Sequence, residues 1–272
     1  MLGGGHNHLK HHLRYGKCKH SNAASIWIAT GRSSETISSI IHPMDSHQRL
    51  YFMADVPHLI KNIKSCLLRD YIVYEGRKIS ITPIQRLAEF QEHRELKLAP
   101  SLKLKAVKNP SHFDKMKVSN ALHILSNSVA KGLQWMVDNN HFDERERKEA
   151  QDTAWFILLI NQWFKLMSSR AITMALSRRK PGRYESPTRH LKTVIDVVKN
   201  MRVGGGHWIP FQTGMLISTS TVLTLSEESF DQGLSFLMTA RLSQDCLENL
   251  FSCVRIKNPG VFAATTCRSF IT

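Results

Sequence analysis

Residues 49–55, Arg49-Leu50-Tyr51-Phe52-Met53-Ala54-Asp55, form a short apolar and aromatic run, and the periodicity changes directly after it. Beyond Val56 and Pro57, apolar side chains recur at Leu59, Ile60, Ile63, Cys66 and Leu67, the three-and-four spacing of an amphipathic helix. A run of this length suits a buried strand, and Pro57 suits the first helical turn, where its missing N–H is no loss. The chain is therefore expected to pass from strand, through Asp55, into helix. That order indicates an α/β fold and puts a carboxylate at a strand end, where open α/β sheets collect their ligand-binding groups.

From about residue 80 to 235 the pattern turns helical. Asn109-Pro110-Ser111 precedes Phe113, Met116, Ala121, Leu122, Leu125, Val129, Leu133 and Met136, an apolar stripe at helical spacing. The charged run 143–149 opens or joins the next helix and reads as a solvated face. Trp155, Phe156, Leu158, Leu159, Trp163, Phe164 and Met167 make that helix apolar on most sides, so it should be buried. Residues 177–183, Ser-Arg-Arg-Lys-Pro-Gly-Arg, form a basic, helix-breaking loop. It is open to three readings: a nuclear-import signal, a phosphate-contacting patch, or an exposed linker.

Leu191, Val194, Ile195, Val198 and Met201 mark another amphipathic helix, and the three glycines at 204–206 end it in a turn. Residues 215–225, rich in Ser, Thr and Leu, fit neither strand nor helix clearly. Ser243 is a good N-cap for a last helix with Asp245 in its first turn and a stripe of Leu247, Leu250, Phe251 and Val254. Glu248 lies beside that stripe, so both acids can share a side, and Asn258-Pro259-Gly260 stops the helix.

Charge narrows the partners. Lys and Arg number 37 against 22 Asp and Glu, a formal +15, which favours a polyanion: nucleic acid first, an anionic membrane surface second. Five cysteines without a C-x-x-C pair argue against a disulfide framework or a structural zinc site and fit a reducing compartment. The opening has no apolar signal stretch, and Leu2 rules out N-myristoylation. The longest apolar run, 154–160, is far short of the roughly 20 residues a membrane span needs, so a soluble, intracellular protein is expected. Acids are absent before Glu35, as in a mitochondrial presequence, but the opening lacks an amphipathic pattern. Its clustered His6, His8, His11, His12 and His20 could bind metal, yet without fixed geometry they read as a solvated segment.

Among catalytic templates, no G-x-S-x-G elbow, H-E-x-x-H pair or phosphate-binding G-x-x-x-x-G-K-[ST] loop occurs. A Cys246 nucleophile would need a distant histidine, since none follows His207. Two separated elements carry carboxylates where a site could form: Asp55, and Asp245 with Glu248. Carboxylates are the hard-oxygen ligands that Mg²⁺ or Mn²⁺ prefer, and such ions support phosphodiester cleavage and strand transfer. By spacing alone these acids read as helix caps rather than as metal ligands.

Four stretches carry a family resemblance. Residues 50–63, Leu-Tyr-Phe-Met-Ala-Asp-Val-Pro-His-Leu-Ile-Lys-Asn-Ile, are the first. Lys115-Met116-Lys117-Val118 through Leu125-Ser126-Asn127-Ser128-Val129-Ala130 follow, then Trp208-Ile209-Pro210-Phe211-Gln212-Thr213-Gly214, and last 241–252 with Asp245 and Glu248. In type and order they resemble P-element-type DNA transposases, including those with an N-terminal THAP finger. The resemblance implies an α/β fold with a large all-α insertion: a partial RNase H-like core in residues 1–78, its first ~45 residues poorly defined, interrupted by a helical GTP-binding-type domain in 79–235. Residues 236–272 would return the last core helix.

It further implies that Asp55 and Glu248 are the second and third catalytic, metal-binding acids, with Asp245 their neighbour. Mg²⁺ or Mn²⁺ and GTP would be the cofactors, transposon-end DNA the partner, the nucleus the compartment and a homo-oligomer the assembly, with no membrane role. The sequence departs from the family at three points. No THAP finger occurs, and neither Glu35 nor Asp45 convincingly supplies the first acid. Where relatives carry Asn-Asp-x-Phe-Asp, this chain has Asn161-Gln162-Trp163-Phe164-Lys165. The expectation is a transposase fragment that does not cut or join DNA alone; the alternative is a non-catalytic, basic DNA-binding or assembly module.

Overall fold

In the computed structural model, which describes residues 38–180, 182–244 and 252–253, the described chain begins with a hairpin of β1 (Ser39–His42) and β2 (Asp45–Tyr51). The two strands pair antiparallel, with Ser39 opposite Tyr51 and Ile41 opposite Arg49. The strand expected at 49–55 is thus displaced towards the N-terminus, and it is not buried: Ile41 is 63% and Leu50 40% exposed. Residues 52–55 are irregular and lead straight into α1 (Val56–Arg69). A small second sheet of β3 (Ile72–Tyr74), β4 (Arg77–Ile79) and β5 (Arg202–Val203), all antiparallel, has the order β4-β3-β5.

Eight further helices follow among the described residues: α2 (Thr82–Gln91), α3 (Leu104–Lys108), α4 (His112–Met116), α5 (Val118–Ile124), α6 (Asn127–Asp138), α7 (Glu144–Met167), α8 (Glu185–Asn200) and α9 (Pro210–Asp231). The stripe from 113 to 136 is divided over three of them. Ser111 forms a capping box with Asp114 at the start of α4, Lys117 is extended, and Ser126 caps α6 through the Val129 amide. The break leaves Phe113 77% exposed, outside the core that the continuous stripe had implied. Asp143 caps α7 by accepting from the Glu146 amide at 2.8 Å. The charged run that follows is only partly solvated, since Glu146 pairs with Arg86 and Glu149 with Lys78.

Helix α7 is the buried helix its composition demands, with Phe156, Ile157, Ile160, Trp163 and Met167 in the core, although Leu158 faces solvent. One hydrophobic cluster runs from Val56 in α1 through the second sheet to Phe230 in α9, without a break at residue 78. Full burial of a side chain such as Phe156 or Ile60 contributes about 1.5–3 kcal/mol. The glycine turn lies one element later than expected, because β5 separates it from α8; Gly204 has φ +52°, and a Cβ there would lie 2.9 Å from Asp70 Oδ1.

The unassigned stretch 215–225 is the middle of α9, and its hydroxyls account for its composition. Ser218 Oγ accepts from the Ala54 amide at 2.8 Å and donates to the Ala54 carbonyl at 3.1 Å. The Thr221 hydroxyl is bonded to the Phe52 carbonyl and lies 3.2 Å from the Ser38 carbonyl. Thr219 Oγ1 accepts from the Trp163 indole at 2.9 Å. Hydroxyls buried at this depth need partners, and each of these has one. Replacing Ser218 with Val removes the partner of a backbone amide and carbonyl; urea unfolding should show a loss of about 1–3 kcal/mol. An unchanged midpoint would mean that the clamp does not hold the segment.

Candidate functional site

Asp55 is the N-cap of α1. Its Oδ2 accepts from the His58 amide at 3.1 Å and contacts His58 Nδ1 at 2.6 Å, and its side chain is only 10% exposed. Pro57 sits in the first turn, as its missing N–H predicts. Both contacts use Oδ2, so Oδ1 is the oxygen directed to any further partner. A carboxylate is the donor type Mg²⁺ prefers, but one is not a site, and no group of three metal-binding side chains occurs among the described residues.

Of the remaining site residues read from the sequence, only Asp45 lies among the described residues. Asp245 and Glu248 lie outside the described residues, as do Cys246, Glu35 and the histidine-rich opening. Asp45 stands at the turn of the β1–β2 hairpin, the end away from Asp55, where its Oδ1 accepts from the His47 amide. No pattern in the sequence marks Lys64, which lies two and a half turns beyond Asp55 in α1 and is 1% exposed. Its ammonium donates to the carbonyls of Asp114 (3.1 Å) and Lys115 (2.9 Å), and so ties α1 to the 115–118 motif. Burial, and then the neighbouring Lys61, pull the Lys64 pKa below its ordinary value. Burial pushes the Cys66 thiol up to about 11, which keeps it protonated and unreactive.

The 208–214 motif is structural. The Trp208 indole donates to Thr213 Oγ1 at 2.8 Å, and buried Gln212 donates to the Val198 and Met201 carbonyls at the end of α8. Gly214 lets α1 approach α9: a Cβ there would meet Leu59 Cδ2 at 2.6 Å. In the segment 161–165, Asn161 donates to the Leu125 carbonyl at 2.9 Å, Trp163 is buried, and Gln162 and Lys165 are exposed. One exposed face of α7 thus carries an amide and a cation, Gln162 and Lys165.

The family model described as "TNP-like, GTP-binding insertion domain" matches residues 57–180, from the first turn of α1 to the basic loop. The transposable element P transposase of Drosophila melanogaster is 23% identical over 236 residues. This chain is similar to P-element transposases. The match covers 85% of this chain and 30% of that relative, so the chain spans about a third of its length. The solved Drosophila P element transposase strand transfer complex superposes with a TM-score of 0.71 at 21% identity, over 85% of this chain and 52% of that one. The fold is therefore shared: a mixed α/β arrangement dominated by helices.

The capping geometry at Asp55 yields a test separate from any metal. Asp55→Asn retains an N-cap acceptor and should change stability by no more than a few tenths of a kcal/mol, whereas Asp55→Ala should lose about 1 kcal/mol. Equal losses in the two variants, measured by urea unfolding, would show that charge rather than capping holds Asp55.

Proposed function

We propose that this chain is a module of the P-element transposase type that binds DNA and guanine nucleotide and holds part of a divalent-metal site. Residues 1–78 and 236–272 would form the RNase H-like part, and 79–235 the helical insertion. The observation that carries this reading is Asp55. The first family motif places it, nearly buried, at the head of α1, where the backbone of 52–54 is clamped by the third motif's helix.

Asp55 and Glu248 would hold Mg²⁺ or Mn²⁺, with Asp245 beside them. A divalent ion bound there supplies activation of an attacking oxygen and stabilisation of a leaving one. The protein's own part is to fix the Asp55 carboxylate by the α1 cap, with His58 bonded to the same oxygen. Two acids are short of the three the family uses, and Asp45 at the hairpin turn does not complete them. The chain alone would therefore bind DNA without joining it. The loss of acids at Gln162 and Lys165 would leave GTP bound weakly. Transposon-end DNA as target, action in the nucleus and self-association belong to the same reading.

The second reading is a basic DNA-binding or assembly module without catalysis. It is favoured by the double use of Asp55 Oδ2 as a cap and histidine partner, which explains the residue without metal. One experiment addresses both. Duplex affinity should fall linearly on a log–log plot against salt, with no strand joining in Mg²⁺ or Mn²⁺. Metal-dependent joining abolished by Asp55→Asn and Glu248→Gln would overturn the claim of inactivity and establish the enzyme. Failure to bind duplex at low salt would overturn both readings.

A further inference from the structure

The basic loop 177–183 is not absorbed by the site at Asp55. It leaves an antiparallel bridge between Leu176 and Leu237 and runs into α8. The loop is tied down at several points. Ser177 Oγ donates to the Ser235 carbonyl at 2.6 Å, the Ser177 amide to the Arg183 carbonyl, and Arg183 Nη1 to the Ile172 carbonyl. Arg178 pairs with Asp231 of α9 and lies against the rings of Tyr184 and Phe230, 5.2 and 5.6 Å from their centroids. A cleft of about 300 Å³ opens between loop and helix, lined by Arg178, Lys180, Gly182, Tyr184 and Glu185.

Three observations describe what this cleft lacks. Tyr184, the residue preceding α8, gives the helix no side-chain cap, so its positive end is uncapped there. Lys180 is exposed and makes no ion pair among the described residues. Two buried side-chain atoms without a hydrogen-bond partner occur among the described residues, and both belong to this helix start: Tyr184 Oη and Thr188 Oγ1. The two residues lie one turn apart on the same helix face, and Thr188 is only 8% exposed. Tyr184 Oη is buried against the Arg178 guanidinium, which can only donate to it, so the phenol proton itself has no acceptor.

Buried hydroxyls are nearly always satisfied, and of these two Tyr184 belongs to the cleft lining, so its hydroxyl signals a missing acceptor there. The surroundings are rich in donors (a guanidinium, an ammonium, a phenol and a helix N-terminus) against two carboxylates, Glu185 in the lining and Asp231 on the Arg178 guanidinium. An oxyanion with several acceptor oxygens complements that set. We propose that this cleft is a phosphate-binding site, outside the Asp55 site, which seats a phosphate group through Arg178, Lys180 and the Tyr184 hydroxyl. The phosphate can come from a nucleic-acid backbone or from a free nucleotide.

The test uses the full chain with Lys180→Glu and Tyr184→Phe, and three probes: a fluorescent DNA duplex, GTP and inorganic phosphate. Neither variant should lose stability without ligand, and Tyr184→Phe should melt at or above the wild-type temperature, because it removes an unsatisfied hydroxyl. If the source is a DNA backbone, Lys180→Glu should weaken duplex binding about tenfold and lower the salt slope by about one, with GTP binding unchanged. If the source is a nucleotide, GTP and inorganic phosphate binding should fall in both variants and duplex binding should not. Wild-type affinity for all three probes in both variants overturns the proposal. A wild-type chain that binds neither duplex nor GTP would instead count against the transposase-type reading.

Discussion

The backbone of residues 52–54 leaves a strand and enters a helix: the Phe52 amide still donates to the Ser38 carbonyl beside β1, and hydroxyls from α9 hold the Phe52 carbonyl and both backbone groups of Ala54. Ser218 closes on both the amide and the carbonyl of Ala54, and Thr221 reaches the Phe52 and Ser38 carbonyls. Tyr51 adds a hydrogen bond to Glu228 of α9; burial, and then Glu228, push its hydroxyl up to about 12. These contacts join residues some 164–183 apart in sequence. Asp55 follows within one residue of the clamp, so its direction is set by α9 as much as by its own helix. Gly214 completes the approach, since any side chain there would displace Leu59.

Much of this was legible in the sequence, and the exceptions have physical causes. Pro57 and the spacing of Leu59, Ile60 and Ile63 placed α1 correctly, because a helix start and an apolar stripe are local signals. The strand was misplaced because an apolar, aromatic run usually owes its burial to a sheet, whereas Phe52 to Ala54 are bonded to a helix. Helix α9 was unreadable because its buried hydroxyls disguise an inward face as a polar one. The split of 113–136 into three helices came from serine caps whose strength a smooth apolar stripe concealed.

The site was legible only in part. Asp55 could be named because strand, acid and proline-initiated helix occur together within a few residues. Lys64 could not, since a lysine on an otherwise apolar helix face normally points to water, and its partners are backbone carbonyls about 50 residues away. Likewise the loop 177–183 offered only charge until the buried Tyr184 hydroxyl beside it was found to lack an acceptor. The net positive charge thus acquires two addresses: a general attraction to a polyanion, and one cleft built to receive a phosphate.

The central proposal is that Asp55 and Glu248 would hold one divalent ion. Ferrous iron substituted for that ion, with ascorbate and peroxide, cleaves backbone close to where the metal sits. The account expects cuts beside residue 55 and beside residue 248, both lost in Asp55→Asn, a variant that keeps the α1 cap and hence the fold. Cleavage absent from both places, or persisting unchanged in that variant, would contradict it.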